Sequence, residues 1–439
     1  MISTGLHSSA VPQDDSTPQQ LRRELGVFGA TFLGLGSIVG TGVFVSIGIA
    51  AGITGASAAL AVGLAAFVAA FNGSSSAQLA AAHPVSGGTY EYGYRFLSPT
   101  SGFIAGWLFL LAKSASAATA AIGFAGYLLN MLDQNDDWIV PLALAGVVAI
   151  VLVVLTGIQR SSQVNMVVVS VTLIALAAFV VVALVDFDSG NFTPFLGGEE
   201  ADGFGFFEAT ALMFVAYTGY GRIATLGEEV HHPRRTIPLA IGTTLAATAV
   251  VYVAVAVAAI GAVGAAGFAS VTDTTAAPLE AIARVLDRPA VATVVAIGAI
   301  TAMLGVLLNL ILGLSRVLMA MGRRRDMPAA TARIDASGRT PYVAVIVIGV
   351  LVGALAATGD IRLTWSFSAF NVLIYYALTN AAALRLPQES RLFPRWLAWA
   401  GLVSCSFLVL FVDVEIWVAG LVVLLAGYVW HRVALGRRS

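Results

Sequence analysis

The sequence predicts an all-α polytopic membrane protein with twelve transmembrane helices. Three observations carry that prediction. Hydrophobic residues make up 58% and charged residues 11% of the 439, with a mean hydropathy of +0.89, whereas a soluble domain carries about 25% charged residues. The apolar residues gather in runs of about 20, the length a helix needs to cross roughly 30 Å of hydrocarbon. The arginines fall densely in every second loop between those runs. A soluble chain of this length would form roughly three domains, each needing a charged surface that this composition cannot supply. A cytosolic enzyme, a nucleic-acid binder and a secreted disulfide scaffold are therefore excluded. The net charge of −1 offers no field to a polyanion. Cys405 is the only cysteine, so no intrachain disulfide forms and a thiolate metal site is not expected.

The elements follow in order. Residues 1–26 are polar, contain no apolar core for signal cleavage, and read as a cytoplasmic tail. Spans are expected at 27–50, 57–80, 100–131, 139–158, 164–185, 206–227, 237–262, 290–321, 341–358, 363–384, 396–412 and 415–432, before a short tail at 433–439. With the N-terminus inside, seventeen arginines lie on the cytoplasmic side and only Arg284, Arg288 and Arg362 on the other. The positive-inside rule then places both termini in the cytoplasm, in the plasma (inner) membrane, with lipid around the spans.

Polar and glycine-rich stretches at mid-bilayer demand a reason. Span one contains Gly34-Leu35-Gly36-Ser37-Ile38-Val39-Gly40-Thr41-Gly42. Gly36 and Gly40 could form a GxxxG contact between helices. The functional reading is a helix broken at mid-membrane, its freed N–H groups facing a carboxylate. Span six repeats the pattern in Leu212-Met213-Phe214-Val215-Ala216-Tyr217-Thr218-Gly219-Tyr220-Gly221-Arg222. Spans one and six are equivalent members of two five-helix halves, 27–185 and 206–384, the second of which enters from the opposite side. Paired interruptions at matching positions point to a transport site at the midplane.

These residues, with His83-Pro84-Val85-Ser86-Gly87-Gly88-Thr89-Tyr90-Glu91-Tyr92 after span two and Ala320-Met321-Gly322-Arg323 and Met327-Pro328 closing span eight, resemble the amino acid–polyamine–organocation superfamily of permeases over nearly the whole chain. The resemblance implies the leucine-transporter-type fold: ten core helices in two inverted halves, with spans eleven and twelve (396–432) peripheral. It also implies alternating access for a small amine-bearing substrate, usually an amino acid.

The site expected on this basis centres on the two breaks. The N–H groups of Gly40, Thr41 and Gly42 and the Thr41 hydroxyl suit a carboxylate, with Ser37 beside them. By resemblance, unpaired carbonyls of Ile38, Val215, Ala216 and Thr218 suit the ammonium. Pocket walls are expected from Trp107 to Ser114 on span three, with Phe214, Tyr217 and Tyr220. Cationic carriers that this chain resembles have an acid where Ala112 stands, and no Asp or Glu lies deep in any span. An unpaired buried cation is costly, so neutral substrates are favoured over cationic ones. An exchanger or exporter of amino acids, a polyamine carrier and, from another class, a channel remain alternatives. Clustered nucleophiles or metal ligands are lacking, so neither an enzyme nor a cofactor is expected beyond a coupling H+ or Na+. The oligomeric state is not legible.

Coupling rests on an arithmetic oddity. Of 23 basic residues, 22 are arginine, and the single lysine, Lys113, sits in mid-span three, where a charge costs about 2.5–3.5 kcal/mol on insertion scales. Arginine keeps its proton in proteins, whereas a desolvated lysine can release it. Some proton-coupled members of the resembled family carry such a lysine on span five, at the place of Thr172 here. Lys113 is therefore expected to titrate from span three, near Thr301 and Asn309 on span eight. A structural lysine, or sodium held by Thr172 and span-eight hydroxyls, are the alternatives.

Overall fold

The computed structural model describes residues 25–84, 87–157, 162–197, 203–225, 230–335 and 340–436. Among them the chain is helical almost throughout. One isolated parallel bridge joins Leu25 to Val230, and the His231 N–H donates to the Leu25 carbonyl at 3.0 Å. Eight helical stretches are long and apolar enough to cross a membrane, and three shorter apolar helices accompany them.

Each stretch expected to span holds helix. Span one divides into α1 (Val27–Ile38) and α2 (Ile47–Thr54). α3 (Ala58–Ala82) leads to a short loop helix, α4 (Thr89–Phe96), and then to α5 (Pro99–Met131). Ser98 starts α5 as its N-cap, its hydroxyl accepting from the Ser101 N–H, with Pro99 at the first position. α6 (Ile139–Leu155) and α7 (Ser162–Ala183) close the first half. Span six becomes α8 (Gly203–Tyr217) and α9 (Gly221–Ala224), with a tight turn at Thr218–Tyr220 between them. The expected end of span seven is overrun: α10 (Pro233–Thr274) continues past a kink at Gly264, whose φ of 72° no ordinary helical residue adopts. α11 (Pro278–Val285) is a short amphipathic helix, followed by α12 (Pro289–Arg323), α13 (Tyr342–Ala356), α14 (Ile361–Leu384), α15 (Arg395–Leu408) and α16 (Val414–Gly436).

Burial sorts these helices into a centre and a rim. α5 is enclosed on almost every side by α4, α6, α12, α13 and α14, whereas α6, α7 and α16 keep most of their apolar surface outward, as lipid-facing helices do. The enclosed surfaces are rich in alanine and glycine. Such side chains let backbones approach where lipid leaves no hydrophobic force to drive association.

Candidate functional site: two helix breaks in contact

The first break is a change of backbone direction. Val39 is extended (φ −75°, ψ 106°), and five residues of π-helix, Gly42–Ser46, follow before α2 resumes. The Gly40 carbonyl accepts from the N–H groups of Val43 (3.1 Å) and Phe44 (3.2 Å). Wide π-turns of this kind free backbone groups and recur at functional sites. The second break is the turn at Thr218–Tyr220.

The breaks touch backbone to backbone. A β-carbon on Gly219 would collide with the Ser37 carbonyl and the Ile38 side chain, and one on Gly42 would lie 2.5 Å from the Ala216 Cβ. Glycine is required at both for this approach. The GxxxG reading of span one is only half right. Gly36 faces Asn165 and Val169 on α7, while Gly40 faces Val306 on α12, so the two glycines pack against different helices.

The carbonyls expected to stand unpaired are occupied. The Tyr252 hydroxyl on α10 donates to the Ile38 carbonyl at 2.9 Å and lies 3.5 Å from that of Ala216. Thr218 Oγ1 donates to the Val215 carbonyl (2.7 Å), and the Tyr376 hydroxyl on α14 donates to the Thr218 carbonyl (3.2 Å). Tyr127 likewise donates to the Phe44 carbonyl in the π-turn (2.8 Å). The reason is solvent: where water is scarce, an unpaired carbonyl is expensive, and nearby hydroxyls take its place. Each carbonyl oxygen carries two lone pairs, so a hydroxyl donor occupies only one of them. On the donor side, Thr41 Oγ1 and Ser114 Oγ are buried with no hydrogen-bond partner among the described residues.

The aromatic residues expected as walls pack on tyrosines of α10 and α14. Phe214 and Tyr220 pack on Tyr376 with ring centroids 5.6 and 5.4 Å apart, and Tyr217 lies 5.2 Å from Tyr252. Trp107 is not a wall: it stacks on Phe103 and donates to the Val423 carbonyl of α16 at 3.0 Å. The Ser37 hydroxyl also turns away, donating to Leu33 within α1.

The expected coupling group does not assemble. Lys113 is buried, and its Nζ donates to Thr218 Oγ1 at 2.6 Å, on the second break rather than toward Thr301 and Asn309. Thr172 and Thr301 each bond a carbonyl of their own helix. Asn309 instead donates to the Gly36 carbonyl (3.2 Å), and Asn165 on α7 donates to that of Phe32 (2.8 Å), so two asparagines hold α1 from different sides. Helix rotation decides these partners, and spacing along the chain does not reveal it. Arg222 reaches Thr225 Oγ1 at 3.5 Å, while the acids Glu228 and Glu229 that follow it in sequence lie outside the described residues. Glu208, near the start of the expected sixth span, is buried in α8, so one acid does lie enclosed within a span.

Sequence reasoning missed Tyr252, Tyr376, Asn165 and the acid Asp326. Tyr252 had a signal: it is the one aromatic in the apolar run of span seven, and a buried tyrosine hydroxyl finds a partner. Asp326 joins two motifs far apart in sequence. Tyr90 and Tyr94 on α4 both donate to its Oδ2 at 2.6 Å, and Trp430 on α16 donates to its carbonyl at 2.9 Å. Beside it Arg324 pairs with Glu91 at 2.5 Å and covers the Tyr94 ring at 4.1 Å. Burial, then the bond to Asp326, holds the Tyr90 hydroxyl above its ordinary range, so it stays a donor.

Known proteins are similar to this chain over most of its length. An uncharacterized transporter of Mycobacterium tuberculosis is 41% identical over 412 residues, 93% of this chain and 91% of its own length. The branched-chain amino acid permease of Bacillus subtilis is 28% identical over 90% of this chain and 89% of its own length. A methylthioribose transporter of the same organism is 28% identical over 78% of this chain and 76% of its own. Residues 29–434 match the family described as amino acid permease. The chain belongs to the amino acid permease family, within the superfamily its motifs resemble, and is a multi-pass membrane transporter rather than an enzyme.

Proposed function

We propose that this protein is a secondary active carrier of neutral amino acids that works by alternating access. In this reading twelve helices cross the plasma membrane, ten of them forming two inverted five-helix halves (27–185 and 206–384), with both termini cytoplasmic. The observation that carries the reading is the contact between the two breaks, with Tyr252 placed on the carbonyls of both. A carboxylate is suited by the N–H groups of Gly40, Thr41 and Gly42 and by the Thr41 hydroxyl. An ammonium is suited by the remaining lone pairs of the Ile38 and Ala216 carbonyls. Two half-helices meeting at a bound zwitterion can reorganise with little cost to the rest of the bundle, which is what alternating access asks of them.

The substrate preference has two supports. The buried amine of Lys113 lies on the second break, where it disfavours a second cation in the side-chain pocket. The branched-chain permease, 28% identical over most of the chain, is a relative whose name is that of a neutral amino acid carrier. The plant cationic amino acid transporters that also match, at 27% for one of them, are the counter-example that a substrate screen addresses.

Coupling follows from the same contact. A proton gained or lost at Lys113 alters the tie between α5 and the second break, making Lys113 the coupling residue. The experiment is a thermal-shift screen of the twenty amino acids and polyamines on purified protein, where binding raises apparent stability by mass action. It is followed by uptake into proteoliposomes under imposed proton and sodium gradients, for wild type, Lys113→Ala and Lys113→Arg. Neutral amino acids that shift the wild type, and a proton response lost in both variants, are expected. A shift by cationic ligands alone sinks the substrate reading, and a retained proton response in both variants sinks the coupling one.

A further inference from the structure

A groove of about 850 Å³ runs along the outer surface between α3 and α10, away from the breaks. Its walls are almost wholly apolar and small, among them Ala66 and Ala70 on α3 and Gly242, Ala246 and Ala249 on α10, with Phe393 at one mouth. On α3 it extends from Gly63 to Ala77, about 21 Å at about 1.5 Å per residue. That length exceeds one leaflet, roughly half of a 30 Å hydrocarbon core. The mouth at Phe393 and Pro238 is basic. Arg234 precedes the lining residues Pro238 and Ile241 by four and seven positions, and Arg235 precedes Pro238 and Gly242 by three and seven. Residues at those spacings share a helix face, so both arginines continue the α10 stripe that lines the groove. Both are exposed, as is Arg395 two residues beyond Phe393 on the opposite lip.

We propose that this groove binds an anionic phospholipid, one acyl chain lying between α3 and α10 and the headgroup phosphate held by Arg234 and Arg235. The charge complementarity identifies the occupant. An apolar slot alone would take any hydrocarbon, whereas a slot ending in paired guanidiniums at interface depth selects a phosphate there. Basic pockets between transmembrane helices are a recurrent way of holding anionic headgroups. The site is separate from the substrate site and does not depend on the carrier reading.

Gly242 makes the test clean. A β-carbon there meets nothing within 4 Å, so Gly242→Leu fills the slot without displacing a neighbour, and leucine favours helix over glycine. Full-length protein, stripped of lipid in detergent, is titrated with phosphatidylglycerol, phosphatidylcholine or soluble glycerol 3-phosphate while its thermal unfolding is followed. Phosphatidylglycerol is expected to raise the wild-type midpoint at lower concentration than phosphatidylcholine, and glycerol 3-phosphate not to raise it. Each arginine removed in Arg234→Gln and Arg235→Gln should weaken the phosphatidylglycerol response about fivefold, the worth of one basic residue at a membrane surface. Gly242→Leu should abolish the response while the unliganded midpoint is kept. Equal responses to the two phospholipids, an effect of glycerol 3-phosphate alone, or an unchanged response in either the arginine variants or Gly242→Leu would each overturn the proposal.

Discussion

Tyr252 donates its hydroxyl to the Ile38 carbonyl at 2.9 Å, and the same oxygen stands 3.5 Å from the Ala216 carbonyl. One side chain of α10 therefore holds the ends of both broken helices. Tyr252→Phe removes the hydroxyl and leaves a buried carbonyl without its donor, a change that costs about 1–3 kcal/mol. The thermal midpoint of the purified variant should fall accordingly, and substrate affinity should change with it because the Ile38 carbonyl is part of the proposed ammonium site. An unchanged midpoint together with unchanged affinity would show that the hydroxyl clasps nothing of consequence.

The glycines divide by what surrounds them. Gly219→Ala drives a methyl into the Ser37 carbonyl, and Gly42→Val drives branches into Ala216. Both should yield protein that inserts into membranes but binds no substrate. Gly242→Ala meets open space and should be neutral or stabilising by up to about 1 kcal/mol, the helix-propensity gain over glycine. Binding assays on all three, read beside a folding check, decide the matter; full affinity in Gly219→Ala would contradict the close approach of the breaks.

Asp326 accepts from two tyrosines and is fully buried. Hydrogen bonds to charged groups are worth about 1.5–3 kcal/mol each, so Asp326→Ala should destabilise by about 3 kcal/mol or more. Asp326→Asn, which keeps an acceptor oxygen, should fall between. Denaturation midpoints of the three proteins provide the comparison, and an alanine variant as stable as wild type would refute the assignment.

Glu280 in α11 is the group whose titration should be visible. Burial raises its pKa above the ordinary 4.5, against the pull of Asn130 and Arg284. Folding thus favours its neutral form. The stability it contributes is complete below the unfolded value and is lost as pH rises through the higher folded value. Glu280→Gln keeps a neutral side chain at every pH. The variant should therefore gain on wild type in thermal midpoint as pH is raised from about 4 to about 7. A midpoint difference that stays flat across that range argues against the shift.

The positions of the helices and of both breaks were legible, because hydrophobic run length and glycine density are properties of the chain itself. Val39 and Gly40 and the turn from Thr218 to Tyr220 interrupt their helices where the glycine-rich runs stand. Rotation about each helix axis was not legible. Lys113 could be placed at mid-span, but whether it met α8 or α12 depended on how α5 sits among its neighbours. Trp107 failed for the same reason, since an indole at a span entrance fits the pocket wall as well as the contact with α16 that it makes. The capping hydroxyls were hidden differently. Tyr252, Tyr376 and Tyr127 lie more than 80 residues from the first break or on other helices, and no local pattern links them to the carbonyls they satisfy.

The contacts of α16 bear on the order in which this molecule is made. Trp430 reaches the Asp326 carbonyl, His431 stacks on Phe103 at 4.5 Å, and Trp107 donates to Val423. The surfaces that receive them are synthesised roughly 100 to 330 residues earlier. During insertion, the Asp326 carbonyl and the Phe103 ring are therefore left without these contacts until α16 arrives. A late helix thus docks onto early ones, and a slow insertion of α16 leaves a polar seam open at the junction of α4, α5 and α12.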